Sequence, residues 1–309
     1  MRIVYDRHIP FLAETVTQGW PEVEIVALEP EEITPTVVRY ADALVIRTRT
    51  QVDEKLLAGS QVQVVCTATI GYDHIDTAWC DTHHIDWTNC PGCNAQAVCD
   101  YIEEAIEGQP SGLVMGVIGV GHVGSLVAKM AERRGMHVLL NDPPKHIGVP
   151  LAQIARQADI ITFHTPLDET TYHLCNEAFL ASTKPQALII NAARGGVVDE
   201  QALLASHRPY ILDTWEGEPK LNEQVLQQAQ LASMHIAGYS VEGKKNATEH
   251  CLCKISQHFG LPILSIDKKV VSLQAESGDN SPGWLKRVSD TLKQHPHDFE
   301  QLRKQYKLR

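Results

Sequence analysis

The chain alternates short apolar runs with amphipathic segments and polar turns. In the first ninety residues the runs RIVY, VEIVAL, DALVIR, VQVVCT and HIDWT predict buried strands separated by short helices. A second set is predicted at residues 113–118, 137–141, 187–191, 209–213 and 231–234. Strands alternating with helices favour parallel sheets covered on both faces. The pattern therefore predicts an α/β fold of two flavodoxin- or Rossmann-like doubly wound domains with a cleft between them.

The order of these elements divides the chain into three predicted parts. Residues 1–94 are predicted to form a flavodoxin-like substrate-binding domain, and residues 95–258 a Rossmann domain. Helices near 95–107 and 244–258 are predicted to cross between the two. Residues 259–309 are predicted to be a C-terminal tail that packs on the first domain.

A glycine-rich turn points to a dinucleotide. The strand 113–118 runs into GVGHVG, a helix is predicted from about 123 to 134, and the next strand ends at Asp142. The helix N-terminus attracts phosphates, and an acidic residue at this spacing accepts from the ribose hydroxyls and repels a 2′-phosphate. This context favours a dinucleotide-binding site over an ordinary glycine turn, and Asp142 favours NAD over NADP as the cofactor. The predicted contacts in the turn are Gly119, Gly121, His122, Val123 and Gly124.

Three chemically matched residues follow three consecutive predicted strands. Arg194 follows strand 187–191, Glu218 follows 209–213, and His235 follows 231–234. Ligands of open α/β sheets bind outside the carboxyl ends of the strands. An arginine there holds a carboxylate, a histidine transfers a proton near neutral pH, and a glutamate orients the ring. The set predicts acid–base chemistry on a small carboxylic acid; a packed histidine at 235 is the alternative.

Longer stretches of the sequence resemble one enzyme family, the D-2-hydroxyacid dehydrogenases. The resemblance runs from Met1 to about Phe259. The stretches that carry it are TATIGYDHID, PGCNAQAV, GVIGVGHVG, DPP, ADIITFHTPL, INAARGGVVDE, LDTWEGEP and HIAGYSVEGK.

The resemblance implies an NAD-dependent oxidation by a homodimer and assigns roles to particular residues. It implies that Arg194, Glu218 and His235 are catalytic. The implied cofactor contacts are Asp142, Thr165, Ala192, Ala193, Asp213 and Gly238, and the implied substrate contacts are Thr48, Thr69 and Tyr239. The chain departs from the family in a shorter connection at 95–112 and in a shorter region after Pro262, where the family has its dimerisation region.

Positive charge in the first domain indicates which kind of carboxylic acid is the substrate. Arg47, Thr48 and Arg49 follow one predicted strand and Thr69 follows the next, so hydroxyls and guanidinium groups are predicted to meet at a phosphate. The alternative is a solvated turn with an interdomain ion pair. With the resemblance, this predicts a small phosphorylated four-carbon 2-hydroxy acid as substrate. A generic dehydrogenase of glycerate or lactate, an NAD-sensing corepressor-like module and a degenerate enzyme that cannot close remain open.

Composition limits the kinds of partner and the cellular location that are expected of the protein. The chain has 309 residues, with 27 Lys and Arg against 38 Asp and Glu, and its net charge of −11 disfavours a nucleic-acid partner. No apolar run approaches the ~20 residues of a membrane helix, and the N-terminus resembles a first strand more than a signal peptide. We therefore predict a cytoplasmic protein with no membrane partner. The eight cysteines are predicted to be reduced and packed, with no metal site.

Overall fold

The computed structural model describes residues 1–274, 278–279 and 281–309. The strands, in chain order, are β1 (Arg2–Asp6), β2 (Glu24–Leu28), β3 (Ala43–Ile46), β4 (Val64–Thr67), β5 (Asp86–Thr88), β6 (Val114–Ile118), β7 (His137–Asp142), β8 (Ile147–Gly148), β9 (Ile160–Phe163), β10 (Leu188–Asn191), β11 (Tyr210–Leu212) and β12 (Leu231–Ala232). The α-helices are α1 (Leu12–Gly19), α2 (Pro35–Val38), α3 (Glu54–Leu57), α4 (Thr77–Thr82), α5 (Ala95–Ala105), α6 (His122–Arg133), α7 (Leu151–Gln157), α8 (Glu177–Ala181), α9 (Glu200–Ser206), α10 (Glu223–Gln228), α11 (Val241–Phe259), α12 (Lys268–Gln274), α13 (Trp284–Gln294) and α14 (Phe299–Gln305).

The first of two compact units comprises Met1–Asn94, Ser240–Ser277 and Leu308. Its five strands are all parallel, in the order β2-β1-β3-β4-β5, which is the flavodoxin-like order. Ile3 packs into the apolar cluster on one face of the sheet and Val4 into the cluster on the other. Because successive side chains of a strand point to opposite faces, strands buried on both sides must be continuously apolar.

The second unit comprises Ala95–Tyr239, Gly278–Lys307 and Arg309. Its seven strands run β12-β11-β10-β9-β6-β7-β8, and all pairings are parallel except that of β8 with β7. Chain order reverses between β6 and β9, so the crevice at a topological switch point opens beside the carboxyl end of β6. This is where a doubly wound sheet binds its nucleotide.

The predicted α/β fold of two doubly wound domains is confirmed, and the predicted elements lie close to the observed ones. Apart from the short antiparallel strand β8, both sheets are parallel and covered by helices, and the predicted strands of both sets form. The predicted edges differ by up to about three residues, as at the strand predicted over 231–234, which is observed as β12 over Leu231–Ala232. Beyond β12 the regular register ends, although the N–H groups of Ser233 and His235 still donate to the carbonyls of Leu212 and Asp213 at 3.0 and 2.8 Å.

Two assignments to domains differ from the prediction. Helix α11 lies within the segment predicted as Rossmann domain, but it groups with the first unit, where Cys251, Leu252 and Ile255 pack against the first sheet. Ile266 and Val270, which lie in the predicted tail, pack on Phe11 in the same unit.

The rest of the tail packs on the second unit, which corrects the predicted placement. Trp284, Leu285, Leu292 and Phe299 belong to the apolar core of that unit. The hydroxyl of Ser289 accepts from the backbone N–H of Ala232 at 3.0 Å. The physical reason is that β12 is a short edge strand whose apolar face and unpaired N–H both require a cover.

Within the described ranges, no helix combines the length and the apolar composition that crossing a membrane requires. The longest, α11, has 19 residues but carries several charged side chains.

Candidate active site

A hydrogen-bonded histidine–carboxylate pair lies beyond the carboxyl ends of β11 and β12. The Nδ1 atom of His235 lies 2.6 Å from Oε1 of Glu218, and the two side chains are 28% and 27% exposed. A carboxylate only accepts hydrogen bonds, so the Nδ1 proton belongs to the histidine, and in the neutral imidazole Nε2 carries the lone pair. The imidazole is thus oriented, with one nitrogen able to receive a proton.

The ionised form of Glu218 is maintained against partial burial. Burial favours the neutral acid, but the hydrogen bond and the charge of His235, with the charge of Arg303 and the N–H of Trp215, hold the pKa of Glu218 below its usual value. The glutamate is therefore a carboxylate near neutral pH. It stabilises the imidazolium that forms when His235 takes up a proton.

The backbone of His235 is held in a strained conformation by a buried aspartate. His235 has a φ of 57°, in the left-handed region that non-glycine residues seldom adopt. One oxygen of Asp213 accepts from the hydroxyl of Ser233 at 2.6 Å and from the N–H of Ile236 at 2.7 Å, and the other accepts from the N–H of Ala237 at 3.0 Å. Because Asp213 is only 1% exposed, these bonds fix the turn that presents the imidazole.

Arg194 lies on the turn after β10, which packs against the turn that carries Glu218. A Cβ atom placed on Gly195 would collide with the carbonyl of Trp215, so the two backbones touch at this point. The amide of Asn191 donates to the carbonyl of Arg194 at 2.8 Å, and the guanidinium donates to the carbonyl of Ala193 at 2.8 Å. In the described part of the chain, Arg194 makes no hydrogen bond to Glu218 or His235.

The glycine turn between β6 and α6 has the shape that a pyrophosphate requires. Gly119 has a φ of 88°, and a Cβ there would lie 2.6 Å from the carbonyl oxygen of His164. A Cβ on Gly124 would collide with the carbonyl of Gly119. Gly121 is the N-cap of α6, whose first residues are His122 and Val123. Side chains at the first and third glycines would close the turn, so its residues fit a dinucleotide.

The acidic residue at the end of β7 is held against the same turn. Oδ2 of Asp142 accepts from the N–H of Val120 at 2.8 Å, and Nζ of Lys145 lies 3.5 Å from the same oxygen and 2.8 Å from the carbonyl of Val120. The hydroxyl of Thr165 is buried and has no hydrogen-bond partner in the described structure, and its contact with a cofactor remains a prediction.

The other predicted cofactor residues lie on turns beyond strand ends of the second unit. Ala192 and Ala193 follow β10, and Gly238 follows the His235 turn. Their contacts with NAD, like those of Asp213, remain predictions.

The predicted substrate residues of the first unit differ in exposure and in their hydrogen-bond partners. Thr48 and Arg49 are exposed. Arg47 instead forms a two-pronged ion pair with the buried Asp6, at 2.8 and 3.2 Å, so its charge is compensated within the unit. The hydroxyl of Thr69 donates to the carbonyl of Gly71 at 2.9 Å. This ion pair lies within the first unit and is therefore not the interdomain ion pair of the alternative interpretation.

The comparisons with known proteins identify the family. Residues 100–237 match the description "D-isomer specific 2-hydroxyacid dehydrogenase, NAD binding domain". A protein of Bacteroides fragilis named erythronate-4-phosphate dehydrogenase is 40% identical over 338 aligned positions, which cover 100% of this chain and 97% of that one. The chain belongs to the D-2-hydroxyacid dehydrogenases. A Bacteroides thetaiotaomicron protein of the same name is 39% identical, with the same coverage of both chains.

A solved structure supports the fold of this family. The NAD⁺-bound 3-phosphoglycerate dehydrogenase of Entamoeba histolytica superposes with a TM-score of 0.72 at 24% identity, covering 87% of this chain and 99% of that one. The chain is thus an NAD-dependent oxidoreductase of 2-hydroxy acids. The alignment with the B. fragilis relative extends over more positions than the 309 residues of the chain, so that relative has residues which this dehydrogenase lacks.

Two residues near the histidine–carboxylate pair were not predicted from the sequence. Glu200 is 4% exposed and accepts from the N–H of Glu216 at 2.7 Å, which anchors the turn leading to Glu218. Burial raises the pKa of Glu200 to about 7, although the N–H of Glu216 lowers it. The second is Arg303, from the C-terminal helix. The sequence contains a signal for Glu200, because this acidic residue follows the helix N-cap Asp199 within an otherwise apolar stretch. It contains none for Arg303, which is distant in sequence from Glu218 and His235.

Replacing Asp142 by alanine should increase the use of NADP relative to NAD. The substitution removes an acceptor for the ribose hydroxyls and a charge that repels a 2′-phosphate, while Lys145 remains to bind the phosphate. We expect the ratio of kcat/KM for NADP to that for NAD to rise by at least about tenfold, with tighter NADPH binding in a fluorescence titration. Lys145→Ala should leave NAD preferred, and the double variant should gain less than Asp142→Ala. Equal use of both cofactors by the parent enzyme would contradict the role of Asp142.

Glutamine at position 200 should remove one pH-dependent loss of stability. The folded-state pKa of Glu200, about 7, lies above that of an exposed glutamate. Protonated Glu200 therefore adds to the free energy of unfolding below about pH 4.5, and this contribution is lost as the pH rises to 7. The loss amounts to roughly 3 kcal/mol at about 1.4 kcal/mol per pH unit. Across this range the free energy of unfolding of Glu200→Gln, measured with urea, should rise relative to the parent. The exposed Glu177→Gln should show no such trend, and parallel curves for Glu200→Gln would refute the assignment.

Proposed function

We propose that the enzyme oxidises 4-phospho-D-erythronate at C2 with NAD, producing 2-oxo-3-hydroxy-4-phosphobutanoate for pyridoxal phosphate biosynthesis. The observation that carries the proposal is the similarity of the whole chain to proteins named erythronate-4-phosphate dehydrogenase, at 40% and 39% identity. The geometry of the second unit is consistent with the reaction, because a histidine–carboxylate pair and a dinucleotide turn lie at the carboxyl edge of one sheet.

His235 acts as the general base in this proposal. Nε2 removes the proton of the C2 hydroxyl, and Glu218 stabilises the resulting imidazolium through Nδ1. Bound NAD supplies the acceptor for the C2 hydride. In the reverse direction the imidazolium returns its proton to the C2 oxygen of the 2-oxo acid.

The remaining site residues bind the acid. Arg194 is proposed to hold the C1 carboxylate and the C2 oxygen, because a guanidinium group matches a planar carboxylate with two hydrogen bonds. Tyr239, Thr48 and Thr69 are proposed to contact the other oxygens of the substrate. The ion pair of Arg47 with Asp6 reduces the positive charge that this residue offers to a phosphate. A dehydrogenase of unphosphorylated 2-hydroxy acids is the second candidate, and the names of the full-length relatives do not favour it.

A substrate panel distinguishes the two candidates. NADH formation would be measured with 4-phosphoerythronate, erythronate, glycerate and lactate under the same conditions. We expect kcat/KM for the phosphorylated acid to be about a hundredfold higher than for erythronate, since each hydrogen bond to a charged group contributes about 1.5–3 kcal/mol. Equal values for the phosphorylated and unphosphorylated acids would overturn the proposed substrate and support the second candidate.

A cytoplasmic homodimer belongs to the same proposal. It rests on the family resemblance. Size-exclusion chromatography with light scattering should give twice the chain mass of 34.3 kDa. The monomer mass over the working concentration range would contradict the dimer.

A further inference from the structure

The C-terminal helix places an arginine on the tyrosine that follows the catalytic histidine turn. Phe299, at the start of α14, is 1% exposed and anchors the helix in the core of the second unit. Arg303 lies one turn later, on the same face of the helix. Its Nε atom donates to the hydroxyl oxygen of Tyr239 at 3.0 Å, and its Cζ atom lies 5.7 Å from the centre of that ring.

A second arginine fixes the same stretch of backbone from the end of the chain. The guanidinium of Arg309 lies 4.3 Å from the ring centre of Trp284. It donates to the carbonyls of Ala237 at 2.5 Å, Ala97 at 3.3 Å and Tyr239 at 3.4 Å. The segment from Ala237 to Tyr239 is therefore bound by two side chains of the tail, in addition to Asp213.

The hydrogen bond from Arg303 determines how the phenol of Tyr239 acts. An arginine has only donors, so the phenol oxygen must accept from it and direct its own proton towards an acceptor. Donation from a cation also polarises the O–H group and strengthens it as a donor. An acceptor that suits such a group is an anionic oxygen, of the kind found in a carboxylate or a phosphate.

Arg303 also belongs to the electrostatic environment of the catalytic pair. Burial acts against its charge, but Tyr239, Glu218 and Glu300 hold the pKa of Arg303 above its usual value. Nη1 of Arg303 lies 3.5 Å from Oε1 of Glu300, one turn of helix away. The guanidinium is thus a permanent positive charge beside the residues that handle the substrate.

We propose that Arg303 is a positioning residue of the dehydrogenase, which orients the hydroxyl of Tyr239 to donate to an anionic oxygen of the substrate. The C-terminal segment 299–309 is then part of the active-site framework as well as a cover for the edge of the sheet. The inference rests on the proposed role of Tyr239 as a substrate contact.

A double-mutant cycle between Arg303 and Tyr239 tests the proposal. The variants are Arg303→Met, Arg303→Lys, Tyr239→Phe and the double variant Arg303→Met with Tyr239→Phe. Lys304→Met is the matched control, because Lys304 is the exposed neighbour on the same helix. Steady-state rates would be measured with the 2-hydroxy acid that the parent enzyme oxidises most efficiently. NADH affinity and melting temperature would be recorded for each protein.

We expect Arg303→Met to raise KM about tenfold or more, because the hydrogen bond from the guanidinium to the hydroxyl of Tyr239 is lost and this hydroxyl is no longer oriented towards the substrate. The change in kcat should be less than about threefold. Arg303→Lys keeps the charge and a donor and should recover part of the loss. In the Tyr239→Phe background, Arg303→Met should add less than about twofold, because the oriented hydroxyl is already absent. Lys304→Met should match the parent.

Several outcomes would overturn the proposal. A full effect of Arg303→Met in the Tyr239→Phe background would make Arg303 a direct substrate contact. Weakened NADH binding or a lower melting temperature that accounts for the rise in KM would make it a purely structural residue, and an unchanged KM would remove it from the site. The choice of phosphorylated or unphosphorylated acid is decided by the parent enzyme alone, so a failure of the proposed substrate is distinguishable from a failure of the cycle.

Discussion

Replacing His235 by asparagine should lower kcat by about 10²- to 10⁴-fold, the usual contribution of general acid–base catalysis, while NADH binding changes less than about threefold. Asparagine tolerates the left-handed backbone that His235 adopts, with a φ of 57°, so the turn should persist. Its amide can still meet Glu218, but it cannot accept the proton of the substrate hydroxyl at neutral pH. Steady-state kinetics and a fluorescence titration with NADH measure the two quantities.

His173 provides a matched control for this substitution. It also has a left-handed backbone, with a φ of 48°, and its Nε2 lies 2.8 Å from the carboxylate of Glu216 in the same unit. His173→Asn repeats the chemical change outside the proposed catalytic set, and its kcat should stay within a few-fold of the parent. Comparable losses in the two variants would show that the effect of His235→Asn is structural.

Replacing Asp213 by asparagine should destabilise the second unit by about 3 kcal/mol and also lower kcat by at least about tenfold. The carboxylate accepts three hydrogen bonds and is 1% exposed. An amide group replaces one acceptor by a donor, which would face a backbone N–H or the Ser233 hydroxyl, and a buried donor without an acceptor costs about 1–3 kcal/mol in addition to the lost charged bond. The His235 turn should then shift, so activity should fall together with stability.

Urea unfolding and steady-state kinetics check the Asp213 prediction, with Asp159→Asn as control. Asp159 accepts from the N–H of Val114 at 2.9 Å and pairs with Lys184 at 2.6 Å, but its side chain is 29% exposed. Water can replace its partners, so we expect a loss of about 1 kcal/mol or less. A stable Asp213→Asn variant with parental kcat would show that the buried carboxylate does not position His235.

Local pattern was sufficient to predict both sheets because parallel strands buried on two faces must be apolar at every position. The same physics placed the strand ends, and with them Gly119, Asp142, Glu218 and His235, at the ligand-binding edge of the second sheet. The contact between Glu218 and His235 followed from neighbouring strands of a parallel sheet, whose carboxyl ends meet at one edge.

Pairings between distant parts of the chain were not predictable, because several partners satisfied the same pattern. Arg47 has the charge of a phosphate ligand, but its Nε and Nη2 atoms donate to the buried carboxylate of Asp6, on the neighbouring strand β1. A buried charge requires a partner, and only the folded sheet shows which one lies within reach.

The sequence by itself determined the fold class, the dinucleotide turn and the identity of the histidine–carboxylate pair, since each depends on residues that lie close in the chain or at adjacent strand ends. The tertiary structure decided where the C-terminal segment packs and brought Arg303 to Tyr239, which is 64 residues away. The apolar stripe of α13 fits any apolar surface of suitable shape. Helix α13 binds at the edge strand β12, because that edge offers an apolar surface together with N–H groups that have no partner strand.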